Sequence, residues 1–239
     1  MGRNYRGWQK QHKGPTVQGE LEKALTVLLR EKIRVNGASR TDTGVNARGM
    51  AADFKTGSRM RANRIMSGLN GLLPADIAVT AVADAADDWH SRKSALWREY
   101  EYLIWNRPYP DLFRDGWTCH IRKPLDVAAI KRAAAAVEGT HDFKAFCVAS
   151  SAHKGCVRTV MALLVDEPEP GLVRLTIRAD GFVHKMVRSI VGTLTDIGLG
   201  KIEPDVIERM ITTGDRKLAG KTAPARGLTL TGIGYDKNL

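Results

Sequence analysis

Val173-Arg-Leu-Thr-Ile-Arg-Ala179 alternates apolar and polar side chains, and residues 182–197 follow it almost at once with a different period. In the first stretch Val173, Leu175, Ile177 and Ala179 fall on one face and Arg174, Thr176 and Arg178 on the other. That is the two-residue repeat of a half-exposed strand. In the second, Val183, Met186, Val187, Ile190, Val191 and Leu194 recur at three- and four-residue spacing. That is an amphipathic helix, which Gly198 and Gly200 end. A strand that feeds into a helix points to an α/β chain.

The same two periods recur on both sides. Upstream, Thr16 follows Pro15 as a helix cap, and Val17, Leu21, Leu25, Leu28 and Leu29 keep helical spacing. Residues 33–35 and 50–54 read as short strands, with a polar, glycine-bearing loop between them. Ile65, Met66, Leu69, Leu72 and Leu73 mark a helix stopped by Pro74. Residues 77–82 read as a strand. Residues 96–105 alternate and are rich in aromatics, again a strand. Asn106-Arg-Pro-Tyr-Pro-Asp111 is a linker candidate, because its two prolines resist both helix and central strand. Beyond it come a helix through Val127, Ile130, Ala134 and Val137, a strand over 157–165, a helix from Pro204 and a final strand over 228–235. Two α/β halves are expected, residues 1–107 and 108–239.

The chain has 239 residues and a formal net charge of +11. Residues 1–64 hold 14 basic and 5 acidic side chains, so most of the excess lies there. Such a concentration suits a polyanion such as nucleic acid, and is equally compatible with a solvated basic face. Cys119, Cys147 and Cys156 form no CxxC pair. This disfavours a disulfide framework or structural zinc and fits a reducing cytoplasm. No apolar run approaches the ~18 residues of a membrane span. The basic N-terminus lacks the apolar core of a signal peptide, and Arg6 breaks a myristoylation pattern. The absence of GxxxxGK[ST] disfavours an NTPase.

Chemistry has few candidates. Asp84, Asp87, Asp88 and His90 gather in sequence, but no second histidine stands at ligand spacing, and an acidic surface loop is the plainer reading. Nothing ties Cys147, with Ser150 and Ser151 after it, to a base. His184 falls within the helix expected over 182–197. The loop Ser39-Arg-Thr-Asp-Thr-Gly-Val-Asn46 joins a guanidinium, hydroxyls, a carboxylate and a glycine. From residue types alone it reads first as an Asx turn closed by Asp42 near Gly44.

Co-linear motifs change that balance. The chain resembles the tRNA pseudouridine synthase A family, whose GRTDAGVHA motif is matched by SRTDTGVNA at 39–47. In order along the chain, Gly7-Trp8-Gln9-Lys10-Gln11 matches a GWQ element and Val17-Gln18 with Leu21-Glu22 a VQ-x-x-LE helix. Trp89-His90-Ser91-Arg92 and Arg98 to Ile104 match F-H-x-R and R-x-Y-x-Y-x-I. Gly139 to Phe143 match G-x-H-D-F, Arg158 to Val160 match R-T-I/V, Phe182 to Gly192 match F-x-x-x-MVR-x-IVG, and Thr222 to Leu228 match T-A-x-A-x-GL.

The resemblance implies two α/β halves joined into one extended, mainly antiparallel sheet, with helices on one side and a central RNA cleft. It implies isomerisation of uridine to pseudouridine at positions 38–40 of the tRNA anticodon arm, by a cytoplasmic homodimer. By position, Asp42 corresponds to the catalytic, nucleophilic aspartate, Arg40 to the motif arginine that helps hold the flipped nucleotide, and Tyr100 to the tyrosine that stacks on uracil. Arg188 corresponds to the arginine paired with the carboxylate, and Leu228 to the apolar wall of the base pocket. Ser39, Thr43, Asn46 and Thr229 depart from the family pattern, and no apolar opening precedes the GWQ element.

These residue types suit the reaction. An N1–C1′ bond is exchanged for a C5–C1′ bond within one nucleotide, so no cofactor and no metal are expected. A carboxylate beside the sugar stays ionised in a water-poor site when a guanidinium stands near it. An aromatic face lets the detached base turn without leaving. Two alternatives are carried forward: a tRNA-binding protein of the same fold without turnover, and a metal-dependent nuclease using Asp42 with Asp84 to Asp88.

Overall fold

The computed structural model describes residues 1–148 and 155–235. Ser150 and Ser151 lie outside the described residues. The chain divides into two compact units, Met1–Leu96 with the C-terminal segment from Ile233, and Trp97–Gly232. The Asn106–Asp111 stretch lies within the second. Among the described residues no helix is long and apolar enough to cross a membrane.

The N-terminal unit opens with α1, Val17–Leu29, where the Thr16 hydroxyl accepts the Gly19 N–H as the cap residue type demands. Strand β1, Val35–Gly37, is followed by a two-residue strand β2, Asn46–Ala47, and by β3, Ala52–Phe54, which pairs antiparallel with β1. Helix α2, Ala62–Leu72, completes the set. Trp8, Leu25, Leu29, Ile33, Val35, Ile65 and Leu69 form its core. The strand expected over 77–82 is absent: no strand forms there. The Asn70 side chain holds both the N–H and the carbonyl of Val79, at 2.8 Å each, and so occupies the groups a ladder would need.

The second unit is built on a sheet in the order β9, β4, β8, β7, β6. Its members are β4 (Trp97–Trp105), β5 (Cys119–His120), β6 (Gly139–Asp142), β7 (Val157–Glu169), β8 (Leu172–Ala179) and β9 (Leu228–Gly234). The pairs β4–β8, β8–β7 and β7–β6 are antiparallel, and the short β5 runs parallel to β4. The chain is thus mixed α/β with a mainly antiparallel sheet. Strand β7 runs past the expected 165 because a register shift between Asp166 and Glu169 takes in Pro168, which has no N–H to give.

Helices α3, Val127–Ala135, α4, Met186–Gly198, and α5, Val206–Thr213, complete the unit, and α3 packs on α4 and β7. Ile130, Leu175, Ile177, Met186, Ile190 and Leu194 are fully buried between these layers. Helix α4 begins four residues later than expected, so His184 lies before it, exposed. Asp180 is held by Arg98, whose guanidinium donates to its carbonyl at 2.9 Å, and by Thr159, whose N–H donates to its carboxylate at 3.1 Å. Lys185 then turns the chain in the left-handed region, φ 65°, and the helix can start only after it.

Candidate active site

Asp42 lies in the loop between β1 and β2. The turn there is closed main chain to main chain: the Val45 N–H donates to the Asp42 carbonyl at 3.1 Å, with Gly44 at φ 79° in the third position. That position of a type II turn requires glycine, so Gly44 has a backbone reason to be there. A main-chain turn thus stands where composition suggested an Asx turn closed by Asp42 near Gly44. Asp42 is half-buried and Arg40 is exposed. Asn46, where the resemblance led one to look for histidine, is 1% exposed and accepts the Gly2 N–H on Oδ1 at 2.7 Å.

Two residues of α1 shape this region without having been singled out as functional. Gln18 donates to the Val35 carbonyl at 2.8 Å and accepts the Lys10 N–H at 2.7 Å. Glu22, 8% exposed, accepts the Val35 N–H at 3.2 Å and the Lys10 ammonium at 2.7 Å. Together they grip the strand that leads into the loop. Their sequence signal was the VQ-x-x-LE match, which marked both positions without giving either a role.

In the second unit, Tyr100 sits on β4 opposite Ile177 of β8 and is 5% exposed. The Phe182 ring meets it edge-on at 5.2 Å between centroids, in the interval before α4 where helix had been expected. Leu228 begins β9, the strand beside β4, and is also 5% exposed. Arg188, in the first turn of α4, is half-buried. Its Nε donates to the Ala223 carbonyl at 2.8 Å, while its own carbonyl accepts the Ala223 N–H at 2.9 Å.

That reciprocal pair belongs to a longer seam. Residues 220–227 run along α4: the Gly220 N–H donates to Thr193 Oγ1 at 3.1 Å and the Lys221 N–H to Asp196 Oδ2 at 3.2 Å. The Tyr102 hydroxyl donates to the Pro224 carbonyl at 3.0 Å. Burial, with Cys119 beside it, pushes this phenol far above its ordinary value, so it stays a donor. The same strap thus tethers Arg188 and delivers Leu228.

The discarded candidates fare as follows. Asp84, Asp87 and Asp88 are exposed, and His90 turns to Asp53, Nδ1 to Oδ1 3.6 Å. Among the described residues no group of three or more His, Cys, Asp or Glu is placed to hold a metal ion. Burial and the hydrogen bond with Cys156 push the Cys147 thiol up to about 11, which makes it a poor nucleophile at neutral pH.

A sequence model of the family described as tRNA pseudouridine synthase matches residues 133–236. The tRNA pseudouridine synthase A of Moorella thermoacetica is 43% identical over 236 residues, 98% of this chain and 96% of the relative. That of Acetivibrio thermocellus is 43% identical over 234 residues, with the same coverage. That of Bacillus subtilis is 42% identical over 237 residues, again 98% and 96%. Identity at this level runs along essentially the whole of both chains, and the chain belongs to the tRNA pseudouridine synthase A family.

Proposed function

We propose that this chain is an isomerase that converts uridine to pseudouridine in tRNA, at the anticodon arm, as a cytoplasmic homodimer that needs no cofactor. The observation that carries the reading is family membership at 42–43% identity over nearly the full length, with the Arg-Thr-Asp loop intact.

In the proposed chemistry Asp42 is the nucleophile. Its carboxylate takes C1′ as the bond to N1 breaks, the freed uracil turns, and C5 then takes C1′ from the carboxylate. Overall C5 loses a proton and N1 gains one, so nothing is oxidised and no group is imported. Arg188 supplies the guanidinium that pairs with the carboxylate, and Arg40 helps hold the flipped nucleotide. Tyr100 and Leu228 wall the base. The basic side chains of residues 1–64 offset the cost of flipping through phosphate contacts. The metal-nuclease alternative has no gathered ligand set among the described residues, and a binder without turnover has only Asn46 and Thr229 in its favour.

Incubation with tRNA that lacks the modification, followed by mapping, is expected to yield pseudouridine in the anticodon arm. Bound but unmodified tRNA would support the non-catalytic alternative, and strand scission would support the nuclease. The base wall makes its own prediction. Tyr100→Phe keeps the flat ring and its contact with Phe182 and is expected to hold the single-turnover rate within about threefold. Tyr100→Leu fills much of the volume without a flat face and should cost ~1–3 kcal/mol in the transition state. Equal losses in both would assign the role to the hydroxyl instead.

A further inference from the structure

The loop that carries Asp42 is stitched to the stretch from Gly2 to Trp8, and the stitches bracket the carboxylate. The Trp8 N–H donates to the Thr41 carbonyl at 3.2 Å and the Gly44 N–H to the Tyr5 carbonyl at 3.3 Å. The Gly2 N–H donates to Asn46 Oδ1 at 2.7 Å. Two glycines permit this approach. A Cβ at Gly7, where φ is +86°, would overlap the Thr41 carbonyl oxygen, and one at Gly2 would overlap that of Val45. The stretch is itself anchored: the Tyr5 hydroxyl donates to Asp76 Oδ1 at 2.5 Å, and the Trp8 ring lies in the core. Asn46 adds a side chain to the main-chain bonds of this seam. It is 1% exposed, and Gly2 is buried with it, so water does not replace the amide oxygen if it is lost.

We propose that Asn46 is a positioning residue for the reaction: through the Gly2 N–H it locks the Asp42 turn against the Gly2–Trp8 brace and so fixes where the carboxylate stands. This rests on the functional reading above. A reacting group displaced by ~1 Å loses on the order of 100-fold in rate, so a loosened turn shows in turnover before it shows in binding.

The test compares Asn46→Ala with wild type. Asn46→Ala is expected to lower kcat by roughly 10- to 100-fold with KM for tRNA within about threefold. Amide exchange at Gly44 and Val45 should quicken in Asn46→Ala, with α1 unchanged. Gly2→Ala presses on the same seam from its other side. It should give the same split between kcat and KM, and it stands in if Asn46→Ala does not fold. Unchanged kcat in the folded variants, or exchange in the loop that matches wild type, overturns the proposal while leaving the functional reading intact. A wild-type chain that makes no pseudouridine overturns that reading, and the catalytic role of Asn46 with it.

Discussion

Asp42→Asn is expected to fold, to bind tRNA and to make no measurable pseudouridine, a loss on the order of a thousandfold or more. The swap is nearly isosteric, and the turn that holds the residue is closed by its backbone carbonyl and by Gly44. Stability should therefore move little, and the melting temperature should stay within a few degrees. What disappears is the negative charge that meets C1′ in the proposed mechanism. Pseudouridine mapping and tRNA affinity measured on the same preparation check this. Turnover within tenfold of wild type would remove Asp42 from the mechanism. A collapse of binding alongside activity would make the residue structural.

Elements that carry a periodic signal in their own residues were legible, and features set by a single side-chain or main-chain contact were not. Helix α1 was legible, since the Thr16 cap after Pro15 and the leucine spacing are signals carried by neighbouring residues. Strands β4 and β8 were legible from alternation alone. The expected strand over 77–82 failed because Asn70, on another element, takes over the Val79 backbone. The start of α4 was misplaced because Phe182 keeps helical spacing while its ring is engaged with Tyr100. The Asp42 loop looked like an ordinary turn in composition, and it is an ordinary turn in backbone. Only the co-linear motifs marked its carboxylate as chemical. The brace under it was illegible, since a hydrogen bond between Gly2 and Asn46 leaves no periodic trace.

Gly192→Ala is expected to be the most damaging single-methyl change in the second unit, and the reason is the strap over α4. A Cβ at Gly192 would overlap the Lys221 carbonyl oxygen and come within 3.0 Å of the Ala223 nitrogen. Both are main-chain atoms, so no side chain can rotate away. Either the helix or residues 220–227 must shift, and that strap is pinned to Thr193, Asp196, Arg188 and Tyr102. Overpacking of this kind costs about 3 kcal/mol. For a chain of this length that is a fall of roughly 6–12 °C in melting temperature. The rate should fall further than stability explains, even well below the transition, because Ala223 is what Arg188 holds on to through both its Nε and its carbonyl. Arg188→Ala removes the guanidinium outright, so the two changes act on one device and should not add. Gly192→Ala placed in an Arg188→Ala background is expected to keep its full cost in melting temperature and lose most of its cost in turnover. Additive losses in turnover would mean that the strap supports the fold alone and that Arg188 takes its position from elsewhere.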